Sequence, residues 1–256
     1  MVYTNAQHLF SLGLLDEKYQ ENWYLDECRR TFSRQDFVYL PGLIAPGPFA
    51  VIKNEMEILT RGASVKKFHM PGPETPRAMS TVGGVTIFEA SGTAWALYSH
   101  QALRSMIKHI VDGQVFDCKH IRELFVCNIL TENGSTYGWH LDDSTYALIL
   151  MLEATHPSEG GSVQIIQNWT NQCEKWNIDP DSKVSDDLIE RFENHALVQT
   201  VHLKAGDGYL LRADKCLHRV KPLVKPGICR IALNMAYEAT LQPKYSETTN
   251  LLYDGL

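Results

Sequence analysis

The chain has 256 residues, 44% of them apolar and 21% charged, and a formal net charge of −6. That is the composition of a folded domain with an ordinary core, and it excludes a disordered chain. The acidic balance leaves no basic footprint for nucleic acid or a membrane surface, and no segment reaches the roughly eighteen apolar residues of a membrane span. A small-molecule partner is the expectation, with the oligomeric state left open. The six cysteines form no CxxC pair, so they read as reduced thiols of a cytoplasmic protein.

Residues 1–35 are polar with scattered Leu, Tyr and Trp, and predict one or two helices ending near Arg34. Phe37-Val-Tyr-Leu is a short strand stopped by Pro41-Gly42, and Phe49 to Thr60 returns to helical spacing. Residues 62–94 are the least regular part. Pro71, Pro73 and Pro76 exclude a long helix and Gly83-Gly84 marks a turn, so this stretch reads as a loop or lid carrying Arg77. Ala94 to Val111 predicts one amphipathic helix with Leu97, Leu103, Met106 and Ile110 on one side.

From Arg122 onward the texture is that of strands: Leu124 to Leu130, Tyr146 to Leu152, Ser162 to Ile166, Leu197 to Leu203, Tyr209 to Leu211 and Ile228 to Tyr237. Asn133-Gly134 and Gly160-Gly161 punctuate them, and a polar helical insert near residues 183–195 interrupts them. Short strands with frequent turn signals argue a sandwich or a jelly-roll barrel. The expected organisation is one domain over residues 1–256. Residues 1–121 supply helices, a first strand and the lid region, 122–238 a mainly β core of sandwich or jelly-roll type, and 239–256 a C-terminal tail.

Trp139-His140-Leu141-Asp142-Asp143 precedes one apolar strand, and Leu217-His218-Arg219 precedes another. Two imidazoles and a carboxylate form the facial triad that holds non-haem Fe(II) and leaves positions open for substrate and oxygen. Residues i and i+2 of a strand share a face, so His140 and Asp142 can reach one ion. With ten histidines and thirty acids in the chain, that spacing alone arises easily by chance, and context has to decide. Cys216 is a conceivable further ligand, with an ordinary strand thiol as the simpler reading.

With this context the chain resembles the Fe(II)/2-oxoglutarate-dependent oxygenases. Gly138-Trp139-His140-Leu141-Asp142 is similar to their "ygwHtD" segment and Ala205-Gly206-Asp207-Gly208 to their "pGd" turn. Tyr39-Leu-Pro-Gly-Leu with its following helix is similar to the opening of the phytanoyl-type branch. The resemblance implies a double-stranded β-helix fold, Fe(II) on His140, Asp142 and His218, and 2-oxoglutarate and O2 as co-substrates. It also implies that Arg230, twelve residues after His218, binds the distal carboxylate of 2-oxoglutarate. An arginine fork suits that task, and Arg212 and Arg219 compete for it.

More closely, the chain looks like the hydroxylating relatives of the carrier-independent amino-acid halogenases. In those halogenases glycine replaces the carboxylate ligand; here the position is Asp142, which implies hydroxylation. The same resemblance places Arg77, Glu123, Asp143 and Asn234 among the substrate-binding residues, with Tyr137 where the family can carry a histidine. A free dibasic amino acid, L-lysine favoured and C4 the favoured carbon, needs one arginine and two acids to pair its charges. Which acid takes which ammonium group stays open. Glu123 could instead pair with Arg122 or Lys119, and Asp143 could orient an imidazole. Ornithine, a natural-product scaffold, or a cupin-like metal-binding module without redox chemistry are the alternatives.

Overall fold

The computed structural model describes residues 13–246 apart from 64, 71–74 and 181. Among the described residues, twelve strands form one antiparallel sheet that curls on itself: β1 (Phe37–Leu40), β2 (Val65–His69), β3 (Pro76–Val82), β4 (Phe116–Asp117), β5 (Phe125–Leu130), β6 (Thr136–His140), β7 (Tyr146–Glu153), β8 (Val163–Ile166), β9 (Val198–Val201), β10 (Gly208–Arg212), β11 (Leu217–Val220) and β12 (Arg230–Glu238). Their order is β1-β10-β7-β12-β5-β3-β6-β11-β8-β9, with β2 added to β3 and β4 to β12. The run β10-β7-β12-β5 makes one wall and β6-β11-β8-β9 the other. This is a jelly roll, one of the two architectures that the strand texture allowed and the one that the family resemblance implied.

Strand β7 shows why the chain folds in layers. Ala147, Ile149 and Met151 point into the barrel with Ile165, Tyr209 and Leu211. The alternate residues Tyr146, Leu148, Leu150 and Leu152 pack outward against helices. A strand buried on both faces reads as a continuous apolar run, because neither side meets water. The outer layer is α1 (Asn22–Gln35), α2 (Pro46–Thr60), α3 (Gly84–Ala90), α4 (Gly92–Ser99) and α5 (Gln101–Val111). In α5, Leu103, Met106, Ile107 and Ile110 are buried, the spacing of one helical face. The other wall is covered by α6 (Trp169–Trp176) and α7 (Asp186–Asn194), whose Trp169, Ile189 and Phe192 meet Trp139 and Leu217.

Two expectations are corrected and one helix is added. The stretch 62–94 is no irregular lid among its described residues: it forms the β2-β3 hairpin and α3, and β3 sits between β5 and β6. Pro76 is compatible with this because it is the first residue of β3, where a missing N–H is tolerated. The single helix over 94–111 is two, broken at His100, whose backbone is extended (φ −61°, ψ 126°) and whose Nδ1 accepts the Ala102 N–H. Helix α6 was not anticipated, because its eight residues are mostly polar. The expected insert is α7, capped by Ser185 Oγ, which accepts the Leu188 N–H. All six cysteines are free thiols.

The turn before β10 ties the N-terminal segment to the barrel. The Asp207 carboxylate accepts from Tyr39 Oη, Gly42 N and Lys204 N at 2.5, 2.9 and 2.7 Å. No described helix is long and apolar enough to cross a membrane.

Candidate metal centre and active site

His140 is the last residue of β6 and His218 the second of β11, and the two are register partners across an antiparallel pair. Their ring centroids are 4.1 Å apart. Asp142 reaches them differently from the strand argument. The strand ends at His140, Leu141 turns outward (40% exposed), and the Asp142 N–H donates to the Ala213 carbonyl at 3.0 Å. This turn brings Asp142 Oδ1 to 3.4 Å from His140 Nε2 and Oδ2 to 3.9 Å from His218 Nε2. One ligand atom from each residue lies within 4.8 Å of the others, so the three could hold one ion.

The ring nitrogens are already sorted for that task. His140 Nδ1 meets the Gly138 carbonyl at 2.7 Å and His218 Nδ1 the Cys216 carbonyl at 2.9 Å. A carbonyl only accepts, so both Nδ1 atoms carry the proton and both Nε2 atoms offer a lone pair. His140 Nε2 is buried with no hydrogen-bond partner. Burial, with the repulsion that a second protonated imidazole at His218 would add and the Arg77 charge, holds His140 well below the usual imidazole range, and burial takes His218 down to about 4. Burial, with the Asp143 charge beside it, pushes the Asp142 carboxyl up to about 7. Two neutral imidazoles and a carboxylate short of positive charge fit a divalent cation, which would draw the carboxylate into its charged form. Cys216 Sγ donates weakly to the Asp36 carbonyl at 3.8 Å, the ordinary strand-thiol reading.

These three residues line a cavity whose wall includes Arg230, Tyr137 and Asn234. Arg230 is 2% exposed and donates from Nε to the Gly161 carbonyl at 2.9 Å. Its burial lowers its pKa, partly offset by Tyr209. The competing arginines are engaged elsewhere: Arg212 forms a fork on Asp214 with both bonds at 2.9 Å, and Arg219 donates to Gln164 Oε1 and lies over Trp139. Asn234 Oδ1 is buried without a partner, which in a polar wall points to a ligand group.

The remaining sequence-derived residues are placed less uniformly. Arg77 lies in β3, 2% exposed, with its guanidinium carbon 4.3 Å over the Tyr137 ring and bonds to Thr75 Oγ1 and the Gly138 carbonyl. The Tyr137 ring in turn contacts the His140 ring edge-on at 4.1 Å, and burial pushes its phenol up to about 12. Glu123 is half-buried just before β5, near enough for its charge to act on Tyr137. Asp143 is half-buried and accepts from Ser246 N and Oγ at 2.9 and 2.7 Å; neither acid is in the cavity wall, and nor is Arg77. Sequence reasoning missed Asn128, Tyr209, Met79 and Ile149, which do line it. Asn128 carried a signal, a lone amide inside the apolar run of β5.

A jelly roll with this triad at facing strand ends is the architecture of the Fe(II)/2-oxoglutarate-dependent oxygenases. A family model described as Halogenase D matches residues 19–254, and the chain belongs to that family. Among solved structures, the chain is similar to SnoN, a non-heme alpha ketoglutarate dependent epimerase from nogalamycin biosynthesis (TM-score 0.65, 16% identity, 91% of each chain). HygX from Streptomyces hygroscopicus, with nickel, 2-oxoglutarate and hygromycin B bound, matches at TM-score 0.59 and 16% identity over 86% of this chain and 89% of that one. A Pseudomonas putida prolyl-4-hydroxylase matches at TM-score 0.51 and 13% identity over 84% of this chain and 99% of that one. At such identities the likeness is one of fold. No curated protein matches the chain.

Proposed function

We propose that the protein is an Fe(II)- and 2-oxoglutarate-dependent hydroxylase of a free L-amino acid, with L-lysine favoured and C4 the favoured carbon. The observation that carries the iron chemistry is one cavity joining His140, Asp142 and His218 to the buried cation Arg230. When bound, Fe(II) and 2-oxoglutarate supply oxidising power drawn from O2, with succinate and CO2 as co-products. His140 and His218 contribute unprotonated Nε2 atoms, Asp142 the anion, and Arg230 a fork for the distal carboxylate of the co-substrate. HygX, bound to nickel and 2-oxoglutarate, supports the same co-substrate here. The family is named for halogenases, but Asp142 fills the third ligand position, which favours hydroxyl over halide delivery.

The substrate reading rests on Asn234 in the cavity wall and on three charged groups outside that wall, Arg77, Glu123 and Asp143, whose charges act on Tyr137, His140 or Asp142. Arg77, stacked on Tyr137, is assigned the amino-acid carboxylate, and Asn234 a hydrogen bond inside the cavity. Glu123 and Asp143 are assigned the two ammonium groups. Asp143 Oδ2 already takes both bonds from Ser246, so its other oxygen would meet the ammonium. The test is anaerobic reconstitution with Fe(II) and 2-oxoglutarate, then oxygen with a panel of free amino acids. A lysine product one oxygen heavier, lost in His140→Ala, is expected. Succinate without any amino-acid mass shift would sink the free-amino-acid substrate and redirect the search to natural-product scaffolds such as those of SnoN and HygX.

A further inference from the structure

Arg230 opens β12 inside the cavity wall. Among the described residues its guanidinium has one protein acceptor, the Gly161 carbonyl, which takes the Nε–H. Gly161 sits at φ +76°, where a Cβ would come within 2.8 Å of Thr155 Oγ1, 3.1 Å of Arg230 Cδ and 3.3 Å of Leu223 Cδ2. Gly160 before it sits at φ +84°, and a Cβ there would lie 2.0 Å from the Pro222 carbonyl oxygen. Left-handed backbone and close approach both select glycine.

The turn is also braced from outside. Thr155 Oγ1 donates to the Gly160 carbonyl at 2.7 Å, and the Gly161 N–H donates to the Lys221 carbonyl at 3.1 Å. The His202 ring bridges the Thr155 carbonyl at 2.7 Å and Ser162 Oγ at 3.2 Å. Such bracing on a two-residue turn fixes the direction of one carbonyl. An arginine whose Nε is fixed presents its two terminal nitrogens in a set plane, the requirement for a bidentate grip on a carboxylate.

We propose that Gly161 is a positioning residue for 2-oxoglutarate. Its carbonyl holds Arg230 Nε so that the terminal nitrogens stay free for the distal carboxylate, and its missing side chain makes room for the arginine stem. This rests on the reading of Arg230 given above and extends it to the loop between β7 and β8.

The test titrates the full chain, loaded with Fe(II) in the absence of oxygen, with 2-oxoglutarate and with 2-oxopentanoate. The second acid keeps the 2-oxo carboxylate but has a methyl group in place of the distal one. Gly161→Ala is expected to raise the Kd for 2-oxoglutarate roughly tenfold or more, the scale of one disturbed charge-assisted hydrogen bond. Its affinities for 2-oxopentanoate and Fe(II) are expected to stay at the parent values. Thr155→Val, which removes the brace and keeps the shape, shifts the same constant by a smaller factor, and decides alone if Gly161→Ala does not fold.

Arg230→Met separates the two ideas. If it binds 2-oxoglutarate as tightly as the parent, the Arg230 reading fails and the Gly161 proposal with it. If it loses the preference for 2-oxoglutarate while Thr155→Val and folded Gly161→Ala keep parental constants, Gly161 alone is overturned. Equal weakening of both acids in the loop variants marks a general disturbance of the barrel and overturns the proposal too.

Discussion

Lowering the pH of the metal-free protein from 8 to 5 should change Asp142 more than either histidine. Its carboxyl sits at about 7 and the His218 imidazole at about 4, with His140 also well below its usual range. A metal must displace whatever protons its ligands hold. At pH 5 a group of pKa 7 is protonated about a hundred to one, so proton competition should weaken metal binding about ninety-fold between pH 8 and pH 5, or ~2.7 kcal/mol. His218 adds only about a tenth to that factor. Ligands at ordinary values would behave in the opposite way: two imidazoles near 6.5 would together weaken binding about a thousand-fold, and the carboxylate hardly at all.

The two cases differ in protons released per metal. Calorimetry of Fe(II) or Ni(II) binding at pH 5, in buffers of different ionisation enthalpy, should show about one proton released, where ordinary ligands release about two. Above pH 7 the dependence should flatten. Asp143→Asn removes the neighbouring charge that is the second cause of the Asp142 shift, so it should move the onset to lower pH. Release of two protons at pH 5, or an unchanged onset in Asp143→Asn, would refute this account of the site.

The fold and the substrate reading give further tests. In the metal-free protein the raised Asp142 value favours folding below about pH 4 and loses that contribution as pH rises towards 7. Saturating metal should therefore raise Tm more at pH 7.5 than at pH 5, read by thermal melts. Arg77→Lys keeps a charge but loses the fork, and should raise the KM for the amino acid about tenfold with the Kd for 2-oxoglutarate unchanged; an unchanged KM removes Arg77 from the substrate site. Tyr98 Oη donates to the Ala236 carbonyl and accepts from Cys118 N at 2.8 and 3.0 Å. Tyr98→Phe should cost about 2 kcal/mol by urea unfolding, and a loss below a few tenths would mean water replaces both bonds.

The barrel was legible because its strands carry their own signals: apolar runs where both faces are buried, such as β7, and turn residues between them, such as Asn133-Gly134. The two histidines were legible because register and barrel closure bring the ends of β6 and β11 together. The path of Asp142 was not, because the i, i+2 rule holds inside a strand and β6 stops at His140. Strand β3 was hidden by prolines and glycines that lie at or beyond its ends, so the local signal spoke for a loop while pairing with β5 and β6 made a strand. Arg77 was therefore singled out with the wrong setting. Asn128 and Tyr209 were missed because inward and outward positions of a strand buried on both sides look alike in sequence.

The placement of β3 reaches beyond the site. It lies between β5 and β6, which are consecutive in the chain, and it comes from the segment before both. A protein shortened to begin after α5 would expose two neighbouring edges in the middle of its sheet, each a template for pairing with another molecule. During synthesis, β3 emerges first and must wait for its partners on either side. The wall bearing His140 can be joined to the wall bearing Arg230 along this edge only once all three strands are out. Splitting or swapping the helical front half and the barrel at residue 121 should therefore yield aggregates rather than a smaller enzyme.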